Sequence, residues 1–167
     1  MASYNLRDPI HWLALGFGAG LLKPAPGTWG SLMGALMVAA TALLTATQGL
    51  LYLLLTLVVC VTGIWICGKT ANDIGAHDHG SIVWDEIAGM FVVMAFVPFS
   101  WLSLALGFVL FRIFDILKPW PIRWLDRHVK GGLGIMIDDV LAAIMAGVCL
   151  MVWVSFTGPY TLQQWPF

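Results

Sequence analysis

The chain has 167 residues, of which 60% are hydrophobic and 10% charged, with a net charge of −1. Soluble domains carry roughly 45–50% apolar and about 25% charged residues, so this composition excludes a disordered chain and argues against an ordinary soluble domain. There is no basic stripe, which removes nucleic acid as a partner. The charges are also confined: none lies between Lys23 and Lys69, between Glu86 and Arg112, or after Asp139. That distribution predicts an integral membrane protein, one domain over 1–167, with charge held at a few junctions.

In chain order, the N-terminal run reads as retained rather than as a cleaved signal, because Asp8 follows Arg7 directly and Lys23 closes the run. Segment 10–22 is too short to span and is expected to be interfacial or half-inserted. Five apolar segments follow, at 31–47, 50–68, 82–97, 101–117 and 139–156. At 1.5 Å per residue each gives about 24–28 Å of helix, close to the ~30 Å hydrocarbon core. Thr47-Gln48-Gly49 and Pro98-Phe99-Ser100 are short, uncharged joints, so each flanking pair is expected to form an antiparallel hairpin. Residues 119–130 predict a short interfacial helix with Trp120, Trp124, Leu125 and His128 on one face and Arg123, Asp126, Arg127 and Lys130 on the other. Residues 158–167 form a tail. The expected fold class is an all-α polytopic membrane bundle of about five spanning helices.

All eight basic residues fall at the same ends of these segments: Arg7, Lys23, Lys69, Arg112, Lys118, Arg123, Arg127 and Lys130. The positive-inside rule places those ends in the cytoplasm and the C-terminus on the far side. Cys60, Cys67 and Cys149 sit in apolar runs without Cys-x-x-Cys spacing and are read as reduced thiols.

The same topology gathers the carboxylates at one membrane face. Asp85 and Glu86 open the third segment, Asp115 lies near the end of the fourth, and Asp138 and Asp139 open the fifth. An acid at a helix N-terminus gains about 0.3–1 kcal/mol. That accounts for one acid per helix start but not for adjacent pairs, nor for Asp115 where the dipole opposes it. Several half-buried carboxylates need a counter-charge, and oxygen-only ligands suit a hard divalent cation such as magnesium. His77-Asp78-His79 is a competing metal motif, a polar turn, or a source of a catalytic proton from His79. Two glycine-rich junctions flank the face. In the first, Lys23 to Ser31, Thr28 and Ser31 are candidate N-caps; with Lys23 and the exposed amides they are also candidate phosphate ligands. The second, Gly131-Gly132-Leu133-Gly134, precedes Asp138. Neither is a Walker loop.

The blocks PGTWGS (26–31), HDHGSIVWDEIAGM (77–90), FRIFDILKPWPIRWLDR (111–127) and GGLGIMIDD (131–139) together resemble the phosphatidylglycerophosphatase A family of bacterial inner-membrane lipid phosphatases. The resemblance covers most of residues 10–150. It implies an all-helical domain that hydrolyses phosphatidylglycerophosphate to phosphatidylglycerol and inorganic phosphate with magnesium. On that reading the metal and catalytic candidates are Asp85, Glu86, Asp115, Asp138 and Asp139. Lys23, Arg112, Lys118 and Arg123 would contact phosphate oxygens, and His79 would protonate the leaving group. The competing expectation is a small ion- or proton-coupled carrier, since acids within a membrane also mark ion pathways.

Overall fold

The computed structural model describes residues 4–45, 49–76 and 79–157. Thr47-Gln48, His77-Asp78 and the tail 158–167 lie outside the described residues. Among the described residues the regular structure is seven α-helices and one 3-10 turn, with no strand.

Helix α1 (Pro9–Ala14) starts where Asp8 Oδ1 accepts the Ile10 N–H at 2.9 Å and Pro9 takes the first helical position. A 3-10 turn at Ala19–Leu21 leads into α2 (Pro26–Thr45). Helix α3 (Leu50–Ile74) stops at Gly75, whose φ of +67° places it in the left-handed region. There Gly75 N–H donates to Asn72 O and Ala76 N–H to Ala71 O, closing the helix. Helix α4 is Trp84–Met94, and α5 (Trp101–Leu117) is capped by Ser100 Oγ accepting from Ser103 N–H at 2.9 Å. Helices α6 (Ile122–His128) and α7 (Gly131–Thr157) complete the chain.

Helix α4 is the inner member of the bundle. It packs on α2, α3, α5 and α7, and nine of its 11 residues are buried. Its neighbours each bury one stripe. On α3 the stripe runs Tyr52, Thr56, Val59, Gly63, Ile66, Cys67, Thr70 and Ala71, while Leu50, Leu54, Leu57, Val61 and Trp65 are exposed on the opposite side. On α7 the buried stripe is rich in Gly and Ala, which lets helices approach closely where apolar side chains gain nothing by leaving lipid. Two polar side chains in this interior find backbone partners: Tyr52 O–H donates to Phe91 O at 2.9 Å, and Trp84 Nε1–H to Val59 O at 3.2 Å.

Among the described residues two helices, Leu50–Ile74 and Gly131–Thr157, are long and apolar enough to cross a membrane. Helix α4 falls short of the expected 82–97: at 11 residues it is about 16 Å long. Its start is set by a tertiary contact, Val83 N–H donating to Ala14 O at 2.8 Å, which holds the preceding residues out of helix. Within segment 10–22, Ala14 and Leu15 are fully buried and α1 packs against α3.

Both glycine-rich junctions differ from their sequence reading. Helix α2 begins at Pro26, so Thr28 and Ser31 lie inside it and cap nothing. Helix α7 begins at Gly131, so the glycines form its first turn, and Asp138 and Asp139 sit about two turns in rather than at the start. The reason is packing: a Cβ on Gly132 would run into the backbone of Ile64 and of Gly68 on α3. Gly132→Ala is therefore expected to destabilise by about 1–3 kcal/mol, because backbone atoms cannot swing aside. Denaturant unfolding in detergent checks this, and unchanged stability would refute the close crossing of α3 and α7.

Candidate active site

The first turn of α4 carries Asp85 and Glu86 into the bundle, and the third turn of α7 brings Asp139 to meet them. One carboxylate oxygen from each of the three lies within 4.8 Å of the others. Asp85 and Asp139 are 7% and 4% exposed. Asp85 Oδ1 accepts the Glu86 backbone N–H at 3.2 Å, so one N–H of the first turn of α4 is met by that turn's own acid. Asp115, in the last turn of α5, reaches Asp139.

Counter-charge comes from Arg112, three residues before Asp115 on α5. Its Nη1 is 2.5 Å from Asp115 Oδ2 and 3.9 Å from Glu86 Oε1, and it donates to Ser31 Oγ at 3.3 Å. Ser31 Oγ in turn donates to Gly27 O at 2.8 Å. The start of α2 thus closes over the acids. Gly27 stands against Glu86 and Arg112, where a Cβ would collide with the Glu86 carboxylate.

Asp138 and Asp139 are adjacent, about 100° apart on α7, and they face different partners. Asp138 Oδ2 accepts from Lys118 Nζ at 2.6 Å, and Lys118 also donates to Asp126 Oδ1 at 2.9 Å. Burial works against the Lys118 ammonium, but hydrogen bonds to Asp138 and Asp126 outweigh it and hold its pKa above the ordinary lysine range.

The described residues therefore bring together Asp85, Glu86, Asp115, Asp139, Arg112 and Ser31, with Asp138 and Lys118 alongside. For three other candidates no contact with these acids is seen among the described residues. Lys23 is exposed, Thr28 lies in the first turn of α2, and Arg123 Nη2 donates to Leu117 O at 3.4 Å. His79 Nδ1 bonds to the Tyr4 hydroxyl at 2.6 Å and accepts from Ser81 N–H at 3.3 Å. With Nδ1 accepting, the ring proton resides on Nε2.

A second polar group joins α1 to α3. Asp8, His11 and Asp73 also bring ligand atoms within 4.8 Å of one another. Lys69 gives it a counter-ion, with Nζ 3.2 Å from Asp8 and 2.5 Å from Asp73. His11 Nδ1 accepts from Asn5 N–H at 3.0 Å, so its Nε2 carries a proton toward Asp73 at 3.1 Å and offers no lone pair to a metal. The Ile10 N–H, then Lys69, hold the Asp8 carboxyl below its usual range. This group is a clamp between helices.

The first group has the opposite chemistry. Its donors are all carboxylates, and two of their buried oxygens, Glu86 Oε2 and Asp139 Oδ2, have no hydrogen-bond partner. A single guanidinium leaves the set short of positive charge. These residues fit a hard divalent cation. The sequence reading missed Gly27, Asp126 and Cys67, whose thiol lies beside Asp85, Glu86 and Asp139. Gly27 had a signal, a small residue in the PGTWGS block, whereas Cys67 looks like any other thiol in an apolar run.

The family described as phosphatidylglycerophosphatase A matches residues 12–154. A Haemophilus influenzae protein named phosphatidylglycerophosphatase A is 52% identical over 162 residues, covering 96% of this chain and 93% of its own length. An Escherichia coli K12 protein of the same name is 46% identical over 150 residues, covering 89% and 86%. A Bacteroides thetaiotaomicron relative, 37% identical over 150 residues and covering 85% and 92%, bears the provisional name phosphatidylinositol-3-phosphatase. No solved structure matches this chain. The match runs from within α1 to within α7 and takes in every acid of the buried group; the chain belongs to the phosphatidylglycerophosphatase A family.

Proposed function

We propose that the protein hydrolyses the terminal phosphate of phosphatidylglycerophosphate, releasing phosphatidylglycerol and inorganic phosphate, with magnesium, at the cytoplasmic face of a bacterial inner membrane. The convergence of Asp85, Glu86 and Asp139 beside Arg112, in a chain of this family, carries the reading. The whole chain acts as one membrane-embedded domain with five passes. Helix α4 is enclosed by its neighbours, so its pass does not need bilayer length. Irregular backbone on either side of it is tolerated where protein rather than lipid surrounds it. The exposed apolar faces of α3, α5 and α7 support contact with acyl chains. Clustering of the basic residues at the acid-bearing end supports the cytoplasmic orientation.

Asp85, Glu86, Asp115 and Asp139, with Asp138 beside them, would hold the ion. When bound, magnesium supplies neutralisation of the phosphate's nonbridging oxygens. Arg112 orients the same oxygens from α5, and Ser31 steadies that guanidinium. A carboxylate of the group takes the proton of the attacking water as it approaches in line with the leaving glycerol oxygen. Lys118 stays cationic and draws the phosphate toward the site, as does Lys23. Nε2 of His79 is the proposed proton donor to the leaving oxygen. A carrier would need acids along a path across the bilayer, whereas these gather at one end, so that alternative is not favoured.

Purified protein in detergent is expected to release phosphate from phosphatidylglycerophosphate with magnesium and to stop on chelation. Release that persists in chelator would remove the metal, and no release from folded protein would remove the reaction.

A further inference from the structure

The corner between α5 and α6 holds a second feature that the acid group does not explain. A cavity of about 380 Å³ is lined on its polar side by Lys118, Arg123, Arg127 and His128, and on its apolar side by Trp120 and Trp124. No carboxylate lines it. Lys118 is neutralised by Asp126 and Asp138, but among the described residues neither Arg123 nor Arg127 has a carboxylate partner. Elsewhere Arg112 and Lys69 are each paired with acids. Trp120 is 81% and Trp124 53% exposed, and the His128 ring stacks on Trp124 with centroids 4.7 Å apart. Two guanidiniums without a carboxylate partner, lining one cavity with two exposed indoles, suit an anion that comes with apolar substance attached. Tryptophan is enriched where the bilayer meets water, the level of a phospholipid's phosphate.

The cavity adjoins the acid group through a shared residue. Lys118 lines the cavity and also bonds to Asp138, the chain neighbour of Asp139. The lipid in the proposed reaction carries two phosphates, a terminal monoester and a diester joined to the diacylglycerol, with one glycerol between them. A headgroup with its monoester among the carboxylates would leave its diester one glycerol away. We propose that the α5–α6 cavity is the subsite for the diester phosphate, held by Arg123 and Arg127 between Trp120 and Trp124, and that it favours lipids carrying two phosphates over those carrying one. This rests on the reaction proposed above. A guanidinium suits this task because its planar fork bonds phosphate oxygens in pairs.

The test uses the full chain in detergent and the double variant Arg123→Gln, Arg127→Gln. Phosphatidylglycerol, which keeps the diester but lacks the monoester, probes the cavity. Inorganic phosphate probes the acid group. Native mass spectrometry of phosphatidylglycerol binding needs no turnover, and the double variant is expected to bind it about tenfold more weakly or worse. Its KM for phosphatidylglycerophosphate should rise by a similar factor, with kcat and inhibition by inorganic phosphate unchanged. Equal phosphatidylglycerol binding by the two proteins would overturn the subsite. So would a fall in kcat at constant KM, or a parallel weakening toward inorganic phosphate. If wild-type protein releases no phosphate, the proposed reaction fails, and the ratio of phosphatidylglycerol affinities still decides the subsite.

Discussion

Asp139→Asn is expected to lower kcat/KM by about 10²-fold or more, the scale of losing one preorganised charged group in a water-poor site. The side chain keeps its shape, so the loss comes from charge alone. Asp139 stands among Asp85, Asp115 and Asp138, and their mutual repulsion opposes folding when no cation is present. The variant should therefore unfold in chelator at the same temperature as wild type or higher, while its stabilisation by magnesium shrinks. A ligand at about 100 times its Kd stabilises by about 2.7 kcal/mol, so the lost shift is measurable. Asp138→Asn is the comparison. Asp138 faces Lys118 at 2.6 Å, so its removal should cost stability first and activity less. Equal loss of activity in the two variants, or full activity in Asp139→Asn, would end the assignment of Asp139 to the site.

Arg112→Met carries the second large effect, and it separates structure from chemistry. Arg112 is 14% exposed in its side chain, and it is the cation recorded against both Asp115 and Glu86. Removing one partner of a buried ion pair typically costs about 3–5 kcal/mol, because the charge left behind has neither water nor a counter-ion. In chelator the variant should unfold at a clearly lower temperature. Magnesium should restore most of the loss, since it neutralises the same oxygens, yet activity should stay low because the phosphate lacks its guanidinium. Arg112→Lys should recover part of the stability and little of the rate, because an ammonium cannot bridge Asp115, Ser31 and a phosphate at once. If magnesium leaves the melting of Arg112→Met unmoved, the carboxylates do not share an ion.

How much of this was legible beforehand follows from which interactions are local. The helical class, the boundaries of α5 and the adjacency of the charged junctions all follow from hydropathy and charge along the chain. Asp85, Glu86, Asp115 and Asp139 could be chosen because acids in apolar sequence are costly and need a reason to persist. Arg112 and Lys118 were legible as nearby cations. Their division of labour was not: Arg112 turns to the acid group and Lys118 to Asp138 and Asp126.

The sequence by itself singled out the acids of the candidate site and the charged junctions beside them, because charge in an apolar chain is restricted by solvation. Only the tertiary structure decided the rest. The start of α4 depends on Ala14, more than 60 residues earlier, accepting from Val83, and the depth of Asp138 and Asp139 within α7 depends on Gly132 pressing against α3. Gly27 acquired its meaning only when Glu86 and Arg112 packed against it. The same holds for His79, whose ring nitrogen is engaged by Tyr4 and Ser81. Periodicity ranks which face of a helix is apolar, but it does not encode which neighbour meets that face. Long-range contacts choose among orientations that local hydropathy leaves equal.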